Sequence, residues 1–261
     1  MPDLPSADFT NPITLSNTVL QRMFGRVRNA VSKEISRPTL QGVFVEVEDG
    51  HLVLAATNGY YVATTKTKPP FDLHSSWEGS GMIVIPRHLS SVLHAFEETK
   101  QDVDLTWDAN NLSMEAGTTV AHARRLGAKM PPWRRVIPTK DMYTTTAMFD
   151  RRELMATIRR VAVGAELPKL LMRLHGGEMT ITTAGAKGRN TDKVQMQLEG
   201  KRQVKAVNYR YLMDSLSRID GEEAALSFTH DKRKMMRIQD PADTNNLFVI
   251  ALMGFNPEEF S

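Results

Sequence analysis

Residues 42–59 read GVFVEVEDGHLVLAATNG. Val43, Val45 and Val47 alternate with Phe44 and Glu46, a period of two that puts successive side chains on opposite faces of a strand. Asp49-Gly50 supplies the pair of residues that a tight hairpin turn needs, and His51 to Ala56 runs back as the second strand. Upstream, residues 15–31 place Val19, Leu20, Met23, Phe24, Val27 and Val31 on one helical face. Arg37-Pro38 ends that segment. A helix followed by a hairpin is therefore the phrase to seek in the rest of the chain.

The phrase returns three times. Pro86 opens RHLSSVLHAFEE, with Leu89, Val92, Leu93 and Phe96 on one face, and VDLTWDANNLSMEAG follows, turning at Asn110-Asn111. Asp150 caps RRELMATIRRVAV, and LLMRLHGGEMTITTAG turns at Gly176-Gly177. Asn208 opens YRYLMDSLSRI, before a last hairpin, ALSFTHDKRKMMRIQD. The hairpins begin near Val43, Val103, Leu171 and Ala225, about 55–70 residues apart, and repetition at such a period signals architecture. A chain of 261 residues fits two domains, hence two phrases each. The expected organisation is an α+β chain with a mobile arm at 1–11, domain one at 12–140, domain two at 141–253 and a tail at 254–261. The segment MPPWRRVIP closes domain one, Thr144-Thr145-Thr146 reads as strand entry, and residues 66–81 read as an exposed loop.

Composition narrows the function. Apolar residues are 41% and charged residues 24%, the balance of a soluble globular protein. There is no cysteine, which excludes disulfides, thiolate metal sites and cysteine nucleophiles. No apolar run reaches the roughly 18 residues of a membrane span, and MPDLPSADFTNP is no secretory signal, so a cytoplasmic protein is expected. The formal charge is only +3, so the placement of charge matters more than its sum. Arg22, Arg26, Asn29 and Lys33 follow i, i+4, i+7, i+11 and form one stripe opposite the apolar face of the first helix. In the third helix Leu154, Ile158 and Val161 point inward while Arg152, Arg159 and Arg160 lie outside. The fourth carries Arg210 and Arg218 against Asp214 and Asp220. One basic face is ordinary solvated surface, but two at equivalent places in a repeat suit phosphate neutralisation. No base-reading motif accompanies them. The histidines show no metal spacing, and no P-loop or GxSxG elbow is present. No catalytic residue, metal or cofactor is expected, so the chain does not read as an enzyme.

Six stretches then carry a resemblance: residues 39–64 (TLQGVFVEVEDGHLVLAATNGYYVAT), 83–93 (IVIPRHLSSVL), 130–138 (MPPWRRVIP), the DRRELMATIRRVAV helix, 205–219 (KAVNYRYLMDSLSRI) and 245–253 (NNLFVIALM). The chain resembles the bacterial DNA polymerase III β subunit family, the sliding clamps, and is similar to that family's middle and C-terminal domains without the first. The resemblance implies a DNA clamp fold, two domains each of two repeated helix-plus-antiparallel-strand units, with helices lining a ring around duplex DNA and sheets on its outside. It implies that Arg22, Arg26, Asn29, Lys33, Arg152, Arg159, Arg160, Arg210 and Arg218 face DNA. It further implies a hydrophobic cleft, between the family's last two domains, for short linear peptides of DNA polymerase and clamp loader. Carried over, the cleft holds Leu40, Thr57, Gly59, Tyr60, Tyr61, Val62, Pro131, Arg135, Val136, Met235, Phe248, Val249, Ile250, Ala251, Leu252 and Met253. The chain departs from the family at Ile250-Ala251-Leu252, where a Met-Pro-Met is usual, at Tyr60-Tyr61, and in a tail with two Phe that lies over the cleft or is disordered. Without the family's first domain, domain one must pair with domain two of a neighbour. A helix is about 10 Å across, so eight lining helices leave a bore near ~15 Å and twelve leave roughly 28 Å. A duplex about 20 Å wide with grooves cut into it fits the second, which gives a homotrimer. A compact clamp of this kind points to a phage or mobile element. The alternative is a clamp-like adaptor or decoy that holds clamp-binding peptides without closing a ring.

Overall fold

A computed structural model of the chain describes residues 7–67, 74–77, 79–96, 101–128, 131–185, 188–230 and 234–256. The chain divides into two compact units, Met1–Trp133 and Arg134–Ser261. The division falls seven residues before the position 140 expected from the sequence, because the turn at 139–142 belongs with unit two. There the Met142 carbonyl accepts a hydrogen bond from the His230 amide.

Unit one contains β1 (Ile13–Ser16), α1 (Asn17–Val27), β2 (Val43–Glu48), β3 (His51–Thr57), β4 (Tyr61–Lys66), β5 (Gly81–Val84), α2 (Pro86–His94), β6 (Asp102–Trp107), β7 (Asn111–Ala116) and β8 (Thr119–Arg124). Unit two contains β9 (Tyr143–Asp150), α3 (Arg151–Ala162), β10 (Lys169–His175), β11 (Glu178–Gly185), β12 (Gly188–Gln195), β13 (Gln197–Gly200), β14 (Gln203–Asn208), α4 (Tyr209–Ser217), β15 (Glu223–Thr229), β16 (Met235–Asp240) and β17 (Asp243–Ala251). Each repeat is thus a strand, a helix and a three-strand meander. In the first hairpin short-range chemistry matches the reading: Asp49 and Gly50 take φ of 51° and 70°, the left-handed pair that closes a two-residue turn. The second turns at Ala109-Asn110, one residue earlier than expected, because the Asp108 amide bonds the Asn111 carbonyl and Asn111 already begins β7.

The leading strand of each repeat does not join its own meander. β1 pairs with β6 (Leu15 opposite Val103), and β5 with β2 (Ile83 opposite Phe44). In unit two, β9 pairs with β15 and β14 with β10. Each unit is therefore two repeats that have exchanged strands, and breaking one repeat exposes an edge of the other. β13 adds a short further strand beside β9. The helices cover the sheets with apolar faces: α1 on β3 and β4, α2 on β8, α3 on β11, β12 and α4. Leu20, Met23, Phe24 and Val27 fill one core, and Leu154, Ile158, Val161, Leu212 and Leu216 fill the other.

Three expectations change. The first helix is shorter than 15–31. Leu15 lies in β1, where Ile13 and Leu15 are buried and Thr14 and Ser16 exposed, so period two wins over period 3.6 there. Val19 is exposed, and Val31 lies beyond the helix. In the segment read as a loop at 66–81, Lys66 ends β4 and Gly81 begins β5, while residues 68–73 and 78 lie outside the described residues. The arm read as mobile at 1–11 has an anchor at its end: the Trp77 Nε1 donates to the Asn11 carbonyl at 2.7 Å. Residues 1–6 and 257–261 also lie outside the described residues.

Candidate nucleic-acid and peptide interface

The Ser16 side chain starts α1 by accepting from the Val19 amide at 3.3 Å. Asp150 starts α3 by accepting from the Glu153 amide at 2.7 Å. Asn208 caps α4 through the Arg210 amide at 3.0 Å. These caps fix where each helix begins, and the face each helix packs then decides which basic residues reach solvent.

The expected stripe on α1 is broken. Arg22 is exposed, but Arg26 is only 9% exposed and sits against the packed side. The helix gives way at Arg28 to a 3-10 turn, Arg28–Ala30, so Asn29 and Lys33, both exposed, are not on the same helical face as Arg22. The period that aligned them requires a helix that stops too early. On α3, Arg152, Arg159 and Arg160 are all exposed. Arg160 is tied down: its Nε lies 2.7 Å from Asp192 Oδ2 on β12, and its Nη2 donates to Thr157 Oγ1 at 2.9 Å. That side-chain bond, with the Lys193 amide, holds the Asp192 carboxyl below its ordinary pKa. Arg210 is exposed on α4, and Arg218 lies 3.6 Å from Asp214 one turn earlier. The off-stripe Arg28 escaped the periodic reading. It lines a cleft of about 450 Å³ with Gln21, Phe24, Gly25, Ser90, Leu93 and His94, against α1 and α2 of unit one.

The residues expected to form the cleft separate by burial. In unit one, the Asn58 side chain accepts from the amides of Tyr60 and Tyr61, both at 2.9 Å, and Thr57 Oγ1 accepts from Gly59 at 3.1 Å. Gly59 has φ +93°, and a Cβ there would lie 3.2 Å from Arg37 Nη1. This tight turn sends Tyr60 outward, 58% exposed, and Tyr61 inward, fully buried. Thr57 and Val62 are buried too; Leu40 and Pro131 are half-buried. Arg135 and Val136 are exposed on a 3-10 turn, Trp133–Val136. In unit two, Phe248, Val249 and Ile250 are core. Tyr61, Phe248, Val249 and Ile250 support the surface and cannot touch a ligand on it. Met235 lies opposite Ala251, the Leu252 amide donates to the Lys234 carbonyl at 2.7 Å, and the Met253 amide to the Ala206 carbonyl at 2.8 Å. Met235, Ala251 and Leu252 are half-buried and Met253 is 36% exposed, an apolar rim. Nearby on β16, Arg237 lies 4.6 Å over the Tyr143 ring, and burial pushes the Tyr143 hydroxyl up to about 12 despite that cation.

Among the described residues no group of three or more His, Asp or Glu could hold a metal ion, and no helix is long and apolar enough to cross a membrane. Two family models match the chain: the central domain of the DNA polymerase III beta subunit over residues 14–132, and its C-terminal domain over residues 134–253. The beta sliding clamp of Caulobacter vibrioides is 25% identical over 269 residues, 96% of this chain and 70% of that protein. The beta sliding clamp of Staphylococcus aureus is 25% identical over 232 residues, 87% of this chain and 60% of that protein. The DNA polymerase III beta subunit of Thermotoga maritima superposes with a TM-score of 0.88 at 21% identity, covering 98% of this chain and 68% of that one. The beta sliding clamp of C. crescentus gives 0.85 at 22%, covering 97% and 68%. The chain shares their fold and spans 60–70% of the length of the two curated clamps.

Proposed function

The chain belongs to the DNA polymerase III beta subunit family, and from that premise we propose that it is a DNA sliding clamp: a ring of two-domain chains that encircles duplex DNA and tethers polymerase and clamp loader by their short peptides. The observation that carries this reading is the exposed arginine set on the repeat helices, Arg22 on α1, Arg152 and Arg159 on α3, and Arg210 on α4. Arginines there neutralise phosphates without reading bases, so binding fixes no register and the ring slides. Lys33 and Arg28 extend the positive surface past the end of α1. Arg160 and Arg218 contribute less, because carboxylates already oppose them. Arg26 positions α1 rather than meeting DNA.

The peptide surface, in this reading, is made by exposed and half-buried members of the expected set. On unit two, Met235, Leu252 and Met253 offer an apolar anchor surface and Arg135 and Val136 reach solvent; on unit one, Tyr60 and Gly59 are the exposed candidates. Family members are non-catalytic processivity factors, and the chain is proposed to act in the same way, without cofactor, in the cytoplasm of a bacterial or phage-infected cell.

Three chains supply the twelve helices that a duplex-sized bore needs. Light scattering over a concentration series tests this. A mass near three times 29.3 kDa is expected. A stable monomer would overturn the ring and leave the adaptor reading, in which peptides are held without DNA.

A further inference from the structure

Strand β14 and its neighbour β10 carry an apolar pair on the face away from the core. Leu170 and Val207 lie opposite one another and are both core residues. Alternation puts the next pair, Leu171 and Ala206, on the other face. Both are nevertheless fully buried, and the half-buried Phe255 packs against them. The approach of the chain is directed. After β17 ends at Ala251, the Leu252 amide bonds to Lys234, and the Met253 amide crosses to the Ala206 carbonyl at 2.8 Å. Met253 thereby forms an isolated antiparallel bridge with Ala206, two residues before Phe255. The aromatic ring is thus placed by two backbone bonds that also fix Leu252 and Met253, the rim of the proposed peptide surface.

We propose that the Leu171–Ala206 pair is an aromatic-accepting site, filled in cis by Phe255 of the segment Gly254–Asn256, and that this latch competes with incoming peptides for the surface at Leu252 and Met253. The latch rests on the peptide-binding reading for its function, but not for its existence. A ring of Phe size buries 150–250 Å² when fully covered, which is enough for a reversible latch and too little for permanent closure. Val204, 46% exposed and two residues from Ala206 along β14, extends the same face and gives a competing side chain a first foothold.

A fluorescent peptide of residues 250–261 of this chain serves as probe, titrated into the full chain and into its Phe255→Ala variant. A tethered segment acts at an effective concentration in the millimolar range. The variant is therefore expected to bind the probe about tenfold more tightly than the unaltered chain, for a probe affinity near ~100 µM. A probe with Ala in place of Phe255 is expected to bind neither. Equal binding of the probe to both proteins would overturn the latch. Phe255→Ala leaves both cores intact, so a thermal melt unchanged within a few degrees accompanies the expected result. A polymerase C-terminal peptide then separates the two ideas. If it binds the variant more tightly, the competition is supported. Equal affinity for both proteins overturns the competition and leaves peptide binding standing. No binding to either, with the probe still selective for the variant, removes the peptide reading and keeps the aromatic site alone.

Discussion

The helices α1 and α3 hold the same place in their repeats, yet they present charge differently. Each begins from a side-chain cap, and each buries an apolar face. α1 runs for 11 residues and α3 for 12, but α1 passes into a tighter turn at Arg28, which carries Asn29 and Lys33 off its axis. It also turns Arg26 toward the packed side. α3 keeps Arg152 and Arg159 in solvent and tethers Arg160 to β12. A basic stripe read from spacing is therefore only as good as the helix is long, and one partner carboxylate on a neighbouring strand decides whether an arginine is available.

The comparison breaks most visibly in the cores beneath the two helices. Phe24→Ala on α1 is expected to cost about 3–5 kcal/mol and Ile158→Ala on α3 about 2–5 kcal/mol, through lost burial and the cavity left behind. Denaturant unfolding measures both. A loss below about 1 kcal/mol at either would deny that helix its anchoring role.

The charged faces sharpen the comparison next. With a short duplex, replacing Arg152 and Arg159 by Gln is expected to lower the magnitude of the salt slope of log K by about 2 per bound chain, and Arg22→Gln by about 1 per bound chain. Arg26→Gln should leave the slope unchanged and lower stability instead. An equal change of slope at Arg22 and Arg26 would restore the unbroken stripe.

The smallest effects lie at the caps. Asp150→Ala should destabilise by about 1–2 kcal/mol and Ser16→Ala by less than about 1, because the Asp150 bond is shorter, 2.7 against 3.3 Å, and its carboxylate also favours the positive helix end. Thermal melts in low salt rank the two; the reverse order would mean that β1 pairing, not the cap, fixes the start of α1.

The candidate site was legible in kinds of residue more than in positions. Tyr60 and Tyr61 are chemically identical neighbours, and residue type alone does not say which faces out. The Asn58 side chain, bonding both amides, turns one into solvent and the other into the core. The apolar run at Phe248–Ile250 reads equally as ligand surface or as core, and burial assigns it to core. Arg28 fell outside a period that the helix itself abandons.

Hairpins, caps and the fourfold repeat were set by the sequence alone. They depend on alternation, on Asp-Gly and Gly-Gly turns, and on side chains that bond amides two or three residues away, all of which act within one turn or one strand. Only the tertiary structure decided that leading strands exchange between repeats, joining Leu15 to Val103 and Ile83 to Phe44. It alone decided where α1 stops, which arginines reach solvent, and that Phe255 returns to Leu171 and Ala206. Those outcomes follow from pairings and burial between residues that are tens of positions apart, where the energy gained depends on what arrives from elsewhere in the chain, and no local period records it.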